Sequence, residues 1–75
     1  MKITYDAKAD ALYIKLSDGG FVENQEIEDG LVLDLGYEKS LLGIELLDVS
    51  RKVPKESLSH VDVEISPVLT ELVAV

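Results

Sequence analysis

Cysteine and tryptophan are missing from this chain, and histidine and phenylalanine occur once each. Without thiols there is no disulfide framework to reinforce a small core, and thiolate metal sites are excluded. A single histidine, His60, cannot build a zinc site. It also leaves the serines only one imidazole to serve as base, and Ser17, Ser40, Ser50, Ser57, Ser59 and Ser66 all fall in expected turns, caps or a short helix. Basic residues are scarce as well: seven Lys and Arg stand against fifteen Asp and Glu, for a net charge of −8. That balance opposes direct nucleic-acid binding, where phosphate neutralisation supplies most of the affinity, and it disfavours an anionic membrane surface. It suits solubility and would also suit a basic protein partner. No apolar run approaches the ~20 residues that span a bilayer, and the opening M-K-I-T-Y-D lacks a signal-peptide core, so a cytoplasmic location is expected.

What is present is aliphatic. Hydrophobic residues make up 47% of the 75 positions, mostly Leu, Ile and Val, enough for one folded domain over 1–75 and no second one. Without reinforcement the margin of so small a core is about 3–5 kcal/mol. Alternation with a period of two marks strands. Ile3 and Tyr5 share one side of a first strand, and Leu12, Ile14 and Leu16 share one side of a second. Between them Asp6 and Asp10 lie in an alanine-rich link. A leading Asp can fold its carboxylate back onto following amides, so the pair is read as a turn before it is read as a site. Residues 21–28 form a more polar strand suited to an edge. At Asp29-Gly30 a two-residue loop would set Ile27 opposite Val32. A three-residue loop, Glu28-Asp29-Gly30, pairs Ile27 with Leu31 and is preferred because it keeps the apolar sides together, with Gly30 left-handed.

Leu31, Leu33 and Leu35 then face one way. Residues 41–49 return with Leu42, Ile44 and Leu46 on one face, and Gly43, Glu45, Leu47 and Val49 on the other. A strand apolar on both sides is expected to be central or covered, with Leu47 and Val49 meeting the C-terminal segment or another subunit. Gly43, inside a strand, points to a bulge or to close approach of the helix or a partner backbone. Val53-Pro54 places a short helix over residues 54–60 with Leu58 inward and His60 at its end. Val61, Val63 and Ile65 alternate as a further strand. Ser66-Pro67 can open another helical turn, and the apolar tail that follows is expected to dock. The fold class is α+β: an antiparallel β-meander of four to five strands over residues 1–50, with a short C-terminal helix, in residues 51–75, on its apolar face.

No catalytic residue, metal ligand or cofactor site can be named. Asp34 and Glu45 share the face opposite the leucines on neighbouring strands, so Asp6, Asp10, Asp34 and Glu45 are the carboxylates a site would use. A solvated acidic face is the plainer reading, since a small sheet offers little cleft. Gly19-Gly20 and Gly36 lack the Lys and helix start of a phosphate loop.

The blocks K-I-T-Y-D-A-K-A-D-A-L-Y-I-K-L-S, E-I-E-D-G-L-V-L-D-L and L-L-G-I-E-L-L-D-V-S, in this order, resemble the small prokaryotic family catalogued as domain of unknown function 2283, also called YuzE-like. The likeness spans residue 1 to about residue 52, and R-K-V-P-K-E-S-L is similar to the family's continuation into a helix. The turn at Tyr37-Glu38-Lys39-Ser40 departs from the family's Asp- and Gly-rich one. The resemblance implies a small α+β protein with an antiparallel sheet and transfers no catalytic residue. Some relatives are thought to lie beside small toxin-like proteins, which implies an antitoxin or other partner-binding role. The expectation is a non-enzymatic interaction module acting as a homodimer, with a small basic protein as a further partner. The alternative is a ligand-binding or metal-dependent hydrolase domain using those carboxylates at a dimer cleft.

Overall fold

The computed structural model describes residues 1–66. Where apolar residues recur at every second position the chain is extended, in five strands: β1 (Lys2–Asp6), β2 (Ala11–Lys15), β3 (Glu23–Glu28), β4 (Leu31–Leu35) and β5 (Leu41–Leu47). All pairings are antiparallel, and the spatial order is β1-β2-β5-β4-β3. This is mixed α+β architecture, mostly β. The order corrects the expected meander, in which β2 would neighbour β3. The strand that is apolar on both sides, β5, is instead inserted between β2 and β4, and the polar β3 is left at an edge, where its side chains are all exposed.

The registers put Ile3, Tyr5, Leu12, Ile14, Leu31, Leu33, Ile44 and Leu46 on one face, and Thr4, Tyr13, Val32, Asp34, Gly43 and Glu45 on the other. The apolar face is only partly covered. Among the described residues the buried hydrophobic ones are Leu35, Leu42 and Val49, while Ile3 stays 46% and Tyr5 38% exposed.

The loop joining β3 and β4 differs from the preferred three-residue form. Glu28 pairs with Leu31 and Glu26 with Val32, so the loop is Asp29-Gly30 and Ile27 is the extra residue of a bulge. Gly30 is left-handed as expected, at φ 79°, but Ile27 opposes nothing and is 52% exposed.

After β5, Asp48 turns left-handed and α1 (Val49–Lys52) follows at once. Residues 54–60 form a 3-10 stretch, Lys55–Ser59, in place of the expected helix. Val53 and Leu58 are half-buried. The expected strand over Val61, Val63 and Ile65 is absent: residues 61–65 are extended or irregular and exposed, since alternation makes a strand only where a ladder partner exists. The helical turn after Ser66-Pro67 and the apolar tail lie outside the described residues. Before β5 a 3-10 turn, Tyr37–Lys39, holds Glu38 and Lys39 at φ 55° and 58°. An Asp- or Gly-rich turn would meet that left-handed geometry with less strain.

Candidate functional site

Two polar constellations stand out. In the link after β1, Asp6 Oδ1 accepts the amides of Lys8 at 3.0 Å and Ala9 at 3.2 Å, a local turn of the kind expected for a leading Asp. Asp10 does something different. Held left-handed at φ 52°, it reaches forty residues along the chain. Its Oδ1 accepts the Tyr5 hydroxyl at 2.8 Å and the Ser50 amide at 3.1 Å, and its Oδ2 accepts the Ser50 hydroxyl at 2.7 Å. Its own carbonyl accepts the Val49 amide at 3.1 Å. A remote carboxylate thus takes up an orphan amide in the first turn of α1, a role normally played by the residue preceding the helix. The Ser50 hydroxyl, then the Tyr5 hydroxyl, hold the Asp10 pKa below the usual carboxylate value, and the bond from Tyr5, reinforced by desolvation, pushes the Tyr5 phenol up.

The second constellation lies on the polar face. Tyr13 of β2 pairs with Glu45 of β5, and Asp34 of β4 pairs with Gly43. Because residue 43 has no side chain, the Tyr13 ring lies across β5 towards Asp34. A Cβ on Gly43 would sit 2.5 Å from the phenolic oxygen and 2.8 Å from Cζ. The close approach read from Gly43 is therefore made by this ring, and a register shift lies next to it between Asp34 and Leu35. Burial, then the charge of Asp34, raise the Tyr13 pKa. Asp34 Oδ1 is enclosed without a hydrogen-bond partner. A neutral Glu45 can donate to Asp34, and this hydrogen bond, followed by desolvation and the Asp34 charge, lifts the Glu45 pKa above the ordinary carboxylate value.

Asp34 and Glu45 are thus brought together, whereas Asp6 and Asp10 are engaged separately in the link between β1 and β2. Among the described residues no group of three or more His, Cys, Asp or Glu side chains is placed to hold a metal. Val49 is fully enclosed within its own chain and Leu47 stays 39% exposed. His60 lies 3.2 Å from Asp62 at the surface. Sequence reasoning missed Tyr5, Tyr13, Ser50 and Lys52. The Lys52 ammonium donates to the carbonyls of Asp29 at 3.0 Å and Leu47 at 2.8 Å, fastening the β3–β4 loop to the end of β5. Tyr13 left only a partial signal, a tyrosine on the polar side of its strand, and its place beside Gly43 comes from the β2–β5 register.

Against the apolar face, a cavity is lined by Ile3, Tyr5, Leu12, Val53, Ser57, Leu58 and Val61. No helix among the described residues is long and apolar enough to cross a membrane. These features define a small antiparallel sheet domain whose polar groups chiefly fasten its backbone and whose apolar face is incompletely closed. The chain belongs to the family described as protein of unknown function (DUF2283), whose model matches residues 2–50, from the start of β1 to the serine held by Asp10. No curated protein and no solved structure matches the chain.

Proposed function

We propose that this chain is a non-enzymatic protein-interaction module that acts as a homodimer. One observation carries the reading: eight aliphatic and aromatic residues align on one face of the sheet, and none of them is among the hydrophobic residues buried in the described part of the chain, Leu35, Leu42 and Val49. The C-terminal segment covers part of that face, with Leu58 and Val53 turned to the cavity beside Ile3 and Leu12. The remainder is closed by a second copy, since association that buries apolar surface adds to a marginal core. The charge of −8 adds a basic protein as a second class of partner, and an antitoxin-like role is one form of this reading. Sedimentation at micromolar protein gives a dimer. A monomer with the sheet intact at every concentration removes the proposal. For the second partner, co-purification from the native host yields a small basic protein whose complex weakens with salt.

The convergence of Tyr13, Asp34 and Glu45 favours a second reading, a carboxylate site for a ligand or a divalent metal. It requires magnesium, manganese or calcium to raise the melting temperature beyond the effect of sodium chloride at equal ionic strength. An unchanged midpoint removes it.

A further inference from the structure

We propose that the free edge of β1 is where a second copy of the chain docks, pairing antiparallel with its own counterpart about Thr4. This rests on the homodimer reading and states which surface forms it. Both outer strands of the sheet offer backbone groups to a partner, but their side chains treat a second copy in opposite ways. Along β3, the self-registers that keep each face with its own copy centre on Glu26, which sets that glutamate against its counterpart, or on Gln25, which sets Glu23 against Ile27; in both the bulge at Ile27 breaks the ladder. With three glutamates and no cation, β3 gains no opposite-charge pair in either register, and opposed glutamates are unfavourable.

Along β1 the same operation sets Lys2 opposite Asp6, Ile3 opposite Tyr5, and Thr4 opposite Thr4. A two-fold axis requires each of these contacts to occur twice, which the sequence K-I-T-Y-D satisfies. Registers that keep the two apolar faces on one side differ by two residues. Moving one such step in either direction leaves Lys2 or Asp6 opposite Thr4, so charge selects the register centred on Thr4.

The residues themselves are prepared for this. Lys2 stands opposite Lys15 in β2, and Lys15 is already paired with Asp18 at 2.9 Å. Lys2 has no acidic partner among the described residues, and an acid from a second copy relieves the juxtaposition of two ammonium groups. Asp6 uses Oδ1 for its turn, leaving Oδ2 for a cation. On the other face the exposed Ile3 and Tyr5 meet their counterparts, with Val61, 57% exposed, beside them on the cavity they share.

The test uses the full chain. Thr4→Cys introduces its single cysteine. Directly opposed residues of an antiparallel pair bring their Cβ atoms within disulfide range, so mild oxidation with glutathione yields a covalent dimer. Gln25→Cys on β3 stays monomeric on a non-reducing gel under the same conditions. Lys2→Glu sets one acid against Asp6 at each end of the pairing and weakens dimerisation about tenfold in low salt. A dimer that persists unchanged in Lys2→Glu, together with a Thr4→Cys protein that fails to link, overturns this edge and leaves the homodimer reading standing. That pair of results also covers the case in which another segment of the chain occupies the edge. A wild-type chain that is monomeric throughout overturns both.

Discussion

At the scale of residues, two carboxyls of this protein respond to pH in opposite senses. Asp10 carries a depressed pKa because it is a carboxylate with three donors, so its contribution to stability is present above the ordinary Asp value and is lost as pH falls through its lower, folded value. Glu45 carries a raised one. The folded state holds its proton more tightly than the unfolded chain does, so its contribution is present below the ordinary Glu value and is lost as pH rises through the folded value. Thermal melts from pH 3 to pH 8 separate them. Asp10→Asn lowers the midpoint at neutral pH and flattens the acid limb, because the amide offers one acceptor where the carboxylate offered two. Glu45→Gln retains a donor for Asp34 at every pH and raises the midpoint at neutral pH by about 2–4 °C, equivalent to ~0.5 kcal/mol once solvent screening at an open face is allowed for. A Glu45→Gln protein that melts lower than the parent at pH 7 contradicts the proton shared with Asp34.

Among the elements, β5 depends on its glycine. Gly43→Ala pushes a methyl group into the Tyr13 ring, within 2.9 Å of three of its atoms. Overpacking of this kind costs about 1–3 kcal/mol. Calorimetry of Gly43→Ala, Tyr13→Ala and the double variant tests the contact: the double variant loses less than the sum of the two, whereas strict additivity means that the ring and residue 43 do not meet. Strands were legible from the chain because a half-buried strand repeats every second residue, and the central place of β5 followed from its two apolar sides. The order of strands was less legible. Alternation tells which residues share a face but not which strand lies next to which, so β5 between β2 and β4 emerges only from the registers. The carboxylate pair was legible for the same reason of facing, since Asp34 and Glu45 both oppose the leucines. Asp10 was not, because its partners Val49 and Ser50 lie forty residues away and nothing local in V-S-R-K marks a helical turn that a remote carboxylate nucleates.

For the whole molecule, charge opposes what the apolar face favours. The described residues span 40 × 31 × 18 Å, and acids crowd one side of this volume: Glu23, Glu26 and Glu28 on β3, Asp29 in the loop beyond, Asp34 and Glu45 inside the polar face. Of these carboxylates, Glu23 alone has an ion pair among the described residues, with Lys39 at 3.5 Å, and Lys52 meets Asp29 at its backbone carbonyl. At ~0.01 M salt the screening length, ~30 Å, matches the width of the molecule, so each of these charges repels the rest; at physiological ionic strength it falls to ~8 Å and repulsion is confined to neighbours. Raising sodium chloride from about 10 to about 150 mM therefore raises the melting temperature. Glu26→Lys, a change of two charges at the exposed centre of β3, raises the low-salt midpoint and shrinks the salt response. If both proteins respond equally to salt, the stabilisation comes from stronger apolar burial and not from relief of the acidic edge, because salting-out acts on surface area and is indifferent to one reversed charge.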